Sequence, residues 1–179
     1  MLWPLPGDAK SRVVKGTQRM YTADFERLCA GFCERSKIHP PALQAQADGM
    51  LAFNIDWRGV MIDMLYEPVG SPGHAFVLFQ LGPIEQGRHD PWRIQLALLQ
   101  ANFLSLQVNP PMFSCHPETG DAVLQCTVSL AQATDESLYK IFEEGIGLVL
   151  RWRQTYFLPD MADAPSHAPI NRSTPHGFA

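Results

Sequence analysis

The stretch CHPETGDAVLQC, residues 115–126, sets two cysteines and a histidine beside Glu118 and Asp121, residue types that can hold a metal ion or activate a thiol. Its spacing argues for a β-hairpin instead. Residues 117–120, PETG, have the Pro, Thr and closing Gly of a four-residue loop; pairing His116 with Asp121 sets Cys115 opposite Ala122 and leaves Cys126 near Pro111. The two thiols are then too far apart along the ladder for a disulfide, and two cysteines with one turn histidine do not complete a tetrahedral metal site. Cys115 and His116 make a poor nucleophile and base, because strand neighbours point to opposite faces. Cys29 and Cys33, four residues apart, fall on the apolar side of a helix and read as small core hydrophobes. Asp56, Asp63, Asp90, Glu118 and Asp121 sit next to turns or caps, and His167 and His176 lie in a polar tail. No phosphate loop or dinucleotide fingerprint is found, so no catalytic residue, metal or cofactor is expected.

The 179 residues fit one domain with tails, and 46% apolar composition supports one sizeable core. The formal charge of −4 comes from interspersed acids and bases. With no basic stripe to neutralise phosphates, nucleic acid is not an expected partner. No apolar run approaches the roughly 20 residues that cross a bilayer, and the first ten lack the order of a secretory signal, so a cytosolic protein is expected.

Residues 1–21 mix Pro, Gly, Lys and Arg without a period and are expected to form an extended arm. Thr22 is a candidate N-cap for a helix with Phe25, Leu28, Cys29, Phe32 and Cys33 on one stripe, broken by Pro40 and Pro41. Two alternating segments, 50–57 and 60–67, flank Arg58-Gly59 as a hairpin, and AFVLFQL adds a third, more buried strand. After the 115–126 hairpin, Thr134 opens a last helix that Pro159 stops. Residues 159–179 are rich in Pro, Ala and Ser without an apolar period and are expected to be disordered.

Between the two hairpins, Asp90-Pro91 starts a helix that is apolar on two opposed sides. Trp92, Leu96, Leu99, Phe103 and Leu106 share one stripe, and Ile94, Ala97, Leu98, Ala101 and Ser105 the other. A helix on its own sheet needs one such stripe; the second must lie under the terminal arms or against a twofold partner, and the partner is simpler. The bulky Trp92 side is expected inward. The smaller set, Ile94, Ala97, Leu98, Ala101 and Ser105, is expected at the dimer interface, because small residues let paired helices approach closely.

The order helix, three strands, helix, two strands, helix gives an α+β, α-β-β-β-α-β-β-α fold with a twisted antiparallel sheet packed against helices. Together with ALLQANF, FSCHPETGDAVLQCTVSL and ESLYKIFEEGIGLVLRWRQ, it resembles the class I type III secretion chaperones of the CesT (Tir chaperone) family over residues 22–158. Leu98, Leu99 and Asn102 of the middle helix, the glycine-closed hairpin and the terminal Trp152-Arg153 pair carry the resemblance. It implies a non-enzymatic, cytoplasmic bacterial homodimer that keeps the amino-terminal chaperone-binding segment of a secreted effector extended and competent for export, with the secretion apparatus as a candidate second partner. Met50, Met61 and Met64 are candidate effector-lining residues, since thioethers adapt to varied shapes, against the common alternative that strand methionines are core. A regulatory adaptor that binds folded proteins through the same fold is the alternative reading.

Overall fold

The computed structural model describes residues 8–46, 49–84, 90–105 and 109–157, with side chains described from Met20 onward. Three helices and six strands follow in the order α1 (Asp8–Ser36), β1 (Gln44–Ala45), β2 (Leu51–Trp57), β3 (Val60–Tyr66), β4 (His74–Gly82), α2 (Pro91–Leu104), β5 (Met112–Cys115), β6 (Ala122–Ser129) and α3 (Asp135–Thr155). The strands form one antiparallel sheet in the order β1-β2-β3-β4-β6-β5. The α+β arrangement is the expected one, with the two-residue β1 as an unanticipated sixth strand.

The alternation in β2 and β3 is resolved as one covered and one open face. Phe53, Ile55 and Trp57 of β2, Val60, Ile62, Met64 and Tyr66 of β3, Val77 and Phe79 of β4 and Leu124 of β6 are buried in a single core with α1 and α3. Phe25, Leu28, Cys29, Phe32 and Cys33 of α1 and Leu138, Phe142, Ile146, Val149 and Trp152 of α3 complete it, as the helical stripes require. Phe32 lies 4.4 Å from Phe142 and 5.2 Å from Trp57, ring centre to ring centre, which locks the two helices to β2. The opposite face carries Asn54, Asp56, Met61, Asp63, Leu65, Phe76, Leu78 and Gln80, none of them fully buried.

Two sequence expectations are corrected. Residues 8–21, read as part of an extended arm, belong to α1, which starts well before Thr22. In that stretch only Gly16 is a strong breaker, and Ala, Lys, Arg, Gln and Met carry enough helical propensity to extend a helix that packing anchors further on. Second, α3 ends at Thr155, with Tyr156 in the left-handed region at φ 50°, rather than running on to the stop at Pro159. The expected disordered tail, 159–179, lies outside the described residues.

The helix ends follow local chemistry. Thr134 and Ser137 bond each other's backbone reciprocally in a capping box, and Asp135 and Glu136 occupy the positive first turn of α3. Asp135 also pairs with Arg35 of α1 at 2.9 Å, tying the two helices, and this pairing holds its carboxyl below the usual range. At the other end of α3, the Arg153 guanidinium donates to the backbone carbonyls of Leu81 at 2.8 Å, Gln80 at 3.0 Å and Gly59 at 2.8 Å. One side chain thereby joins the β2–β3 turn, the end of β4 and α3.

Candidate functional site

The reactive-looking cluster resolves into turn architecture. His116 donates its N–H to the Asp121 carbonyl at 2.8 Å, Gly120 donates back to His116 at 2.9 Å, and Cys115 stands opposite Ala122, as the loop chemistry indicates. The His116 Nδ1 accepts the Glu118 and Thr119 amides, both at 3.3 Å, so the ring closes the loop. Cys126 lies one step beyond the last β5–β6 pair, Met112 with Gln125, far from Cys115 along the ladder. The acids are used similarly: Asp90 caps α2 by accepting the Trp92 amide at 3.1 Å, and Asp56 accepts the Gly59 amide at 3.1 Å. Among the described residues no three His, Cys, Asp or Glu side chains are grouped to hold a metal ion.

Surfaces are the alternative to a catalytic centre, and among the described residues exposed large apolar side chains gather on α2. Up to Ser105 both stripes are where the periodicity puts them, Leu106 lying outside the described residues, but their orientation is the reverse of the expected one. Ile94 and Leu98 are buried in the chain's own core, and Ala97, Ala101 and Ser105 are half-buried beside them. Trp92, Leu99 and Phe103 face outward, 63%, 60% and 82% exposed, with Leu96 and Leu104 also exposed. Asn102 supplies the reason. Its amide brackets Phe113 of β5, accepting the Phe113 N–H at 2.7 Å and donating to the Phe113 carbonyl at 2.9 Å. That close approach of helix to strand edge needs small residues, so the Ala97–Ala101 side turns toward the strand and the bulky side is left outside. The candidate interface residues Ile94 and Leu98 are therefore internal, and sequence reasoning missed Trp92, Leu96, Leu99 and Phe103 as the outward set.

The three candidate client-lining methionines do not share a surface. Met64 is fully buried under the helices, while Met61, three residues earlier on β3, is 48% exposed on the opposite face. Met50 is half-buried just before β2. Around Met61 the open face mixes half-buried Leu65, Phe76 and Leu78 with a polar ladder. In that ladder Asp63 accepts hydrogen bonds from Asn54 at 2.6 Å and Gln80 at 3.0 Å. One sheet edge is β1, only two residues long; the other is β5, whose outward Phe113 groups Asn102 already satisfies.

No curated protein matches the chain in sequence. Among solved structures, the fold is shared with a chain of the ExsC–ExsE complex, with a TM-score of 0.58 at 20% identity over 75% of this chain and 95% of that one. A chain of the HopA1–SchA chaperone–effector complex is also similar, with a TM-score of 0.54 at 12% identity over 76% of this chain and 98% of that one. No helix among the described residues is long and apolar enough to cross a membrane. From within β4 through the Arg153 clamp, residues 76–153 match the Tir chaperone protein (CesT) family, the family that the sequence motifs resemble.

Proposed function

We propose that this protein is a non-enzymatic, cytoplasmic type III secretion chaperone that works as a homodimer and holds the amino-terminal segment of a secreted effector in an extended, export-competent form. The observation that carries the reading is the CesT family match over β4 to α3, on a fold shared with a chain of a chaperone–effector complex. The exposed apolar flank of α2 supplies the physical means of dimerisation. Each large side chain withdrawn from water there contributes about 1.5–3 kcal/mol before association costs. Trp92, Leu96, Leu99 and Phe103 from two copies would thus contribute enough to offset the loss of independent motion. Client binding uses exposed Met61 and the half-buried Leu65, Phe76 and Leu78 of the open sheet face, where alternate side chains of an extended segment can settle. Met50 is retained as a contact and Met64 is not.

Co-expression with secreted effectors of the native cell, followed by limited proteolysis, tests this reading. The expected result is a stable complex in which an otherwise unfolded amino-terminal effector segment resists cleavage. Capture of folded partners only, with no protected segment, would favour the regulatory adaptor.

A further inference from the structure

Among the described residues, the β5 edge of the sheet stops short of the end of β6, and the sequence sets where. Pro110 and Pro111 lack the amide hydrogens that a strand ladder needs, and Asn109 turns the chain at φ 53°, so β5 begins only at Met112. Its partner β6 runs on to Ser129 and stays paired to β4 throughout, down to His74 with Ser129. The Asn102 bonds show that Phe113 directs its backbone groups away from β6. By the alternation of an antiparallel ladder, the groups of Gln125 point toward β5 and those of Thr127 point the same way, past the point where β5 has stopped. Among the described residues, nothing pairs with them.

Beside this stretch of β6 lies a notch of about 220 Å³ between β6 and α3. Cys126 and Thr127 line it from β6, Ile141, Glu144 and Leu148 from α3, and Asn109 and Pro111 from the segment that leads into β5. Gly145 lines it with backbone alone, because the Phe79 ring occupies the place of its Cβ. Glu144 lines the notch with an exposed side chain, and among the described residues its ion pair is a loose 3.8 Å contact with exposed Lys140. We propose that this notch docks an extended peptide segment that adds to β6 at Thr127, sets a leucine-, isoleucine- or methionine-sized side chain on Cys126, and places a basic side chain two residues away against Glu144. Only extended backbone offers a donor and acceptor in the plane of the sheet, and residues two apart on a strand share a face, which fixes the apolar-x-basic spacing. The proposal rests on reading the protein as a holder of extended clients, and it names the client chemistry at one position.

The test titrates the isotope-labelled full chain with acetyl-Ser-Leu-Thr-Arg-Ser-amide and follows backbone amide resonances. Saturable shifts centred on Cys126, Thr127 and Leu148, with slower hydrogen exchange at Thr127, are expected. Glu144→Lys, on an exposed position, should keep the melting temperature and weaken binding about fivefold, and replacing the peptide arginine by glutamate should do the same. Shifts that are absent at millimolar peptide or centred elsewhere overturn the proposal, as does a Thr127 amide protected in the free protein and released on dilution, which would assign the notch to a second copy. An effector complex that forms equally well with Glu144→Lys, with no shift in the notch, keeps the chaperone reading and removes the notch. Peptide binding in the notch without any effector complex does the reverse.

Discussion

A Cβ built on Gly145 would collide with the Phe79 ring, and that ring is held in place by Phe142 at 5.8 Å in an edge-on contact. Two positions along, a Cβ on Gly147 meets nothing. Glycine in a helix interior costs about 1 kcal/mol relative to alanine, so the two positions separate propensity from packing. Gly147→Ala should stabilise the protein by about 0.5–1 kcal/mol, whereas Gly145→Ala should destabilise it by about 1–2 kcal/mol because overpacking outweighs the helical gain. Urea denaturation of the two variants checks both signs. The cysteines separate in the same way. Burial pushes the Cys126 thiol up to about 11, with the Glu144 carboxylate adding to it, and burial raises Cys29 and Cys33 as well. A thiol whose folded value is raised keeps its full contribution to stability below the ordinary range of about 8.5, where both states are protonated. Above that range the unfolded chain ionises first, so stability falls as pH climbs toward about 11. At pH 8 a disulfide reagent should therefore label exposed Cys115 quickly, half-buried Cys126 more slowly, and Cys29 and Cys33 only on unfolding. Fast labelling of Cys29 or Cys33 in the folded protein would contradict their burial.

Among the elements, α2 depends most on one side chain. Removing the Asn102 amide leaves the Phe113 N–H and carbonyl without their partner at a part-buried strand edge. Asn102→Ala should cost about 1–3 kcal/mol, with faster hydrogen exchange concentrated in β5 and α2 and little change in β2 and β3. Uniform destabilisation across the sheet would deny Asn102 this local role. The same contact explains what the sequence could and could not convey. The 115–126 hairpin was legible down to its register because loop length and turn residues fix pairing locally. The two apolar stripes of α2 were legible from periodicity, yet which one faced inward was not, since both are apolar and the deciding bond joins residues eleven apart. The two-residue β1 is set by its partner, Gln44 opposite Ala52, and has no pattern of its own. The early start of α1 carries no apolar period, so only propensity marks it, and that is a weak signal.

At the scale of the whole molecule, the contrast between the two flanks of α2 gives the most direct test of assembly. Leu98 is buried within the chain, so Leu98→Glu places a charge in the core and should lower folding stability by several kcal/mol, or abolish folding, whatever the oligomeric state. Leu99, the next residue, is exposed, and Phe103 follows one turn later on the same outward stripe. A charge at either position costs the isolated chain little, because the side chain already meets water. In a twofold dimer, however, the interface is isologous, so one substitution introduces two like charges into the buried patch. Light scattering after size exclusion should accordingly show about twice the 20.0 kDa chain mass for the unmodified protein. Leu99→Glu and Phe103→Glu should shift it to the monomer mass while leaving the far-ultraviolet circular dichroism unchanged. A dimer that survives both substitutions would move the interface off α2, and an unmodified protein that runs as a monomer at micromolar concentration would leave the flank to be covered by the client itself.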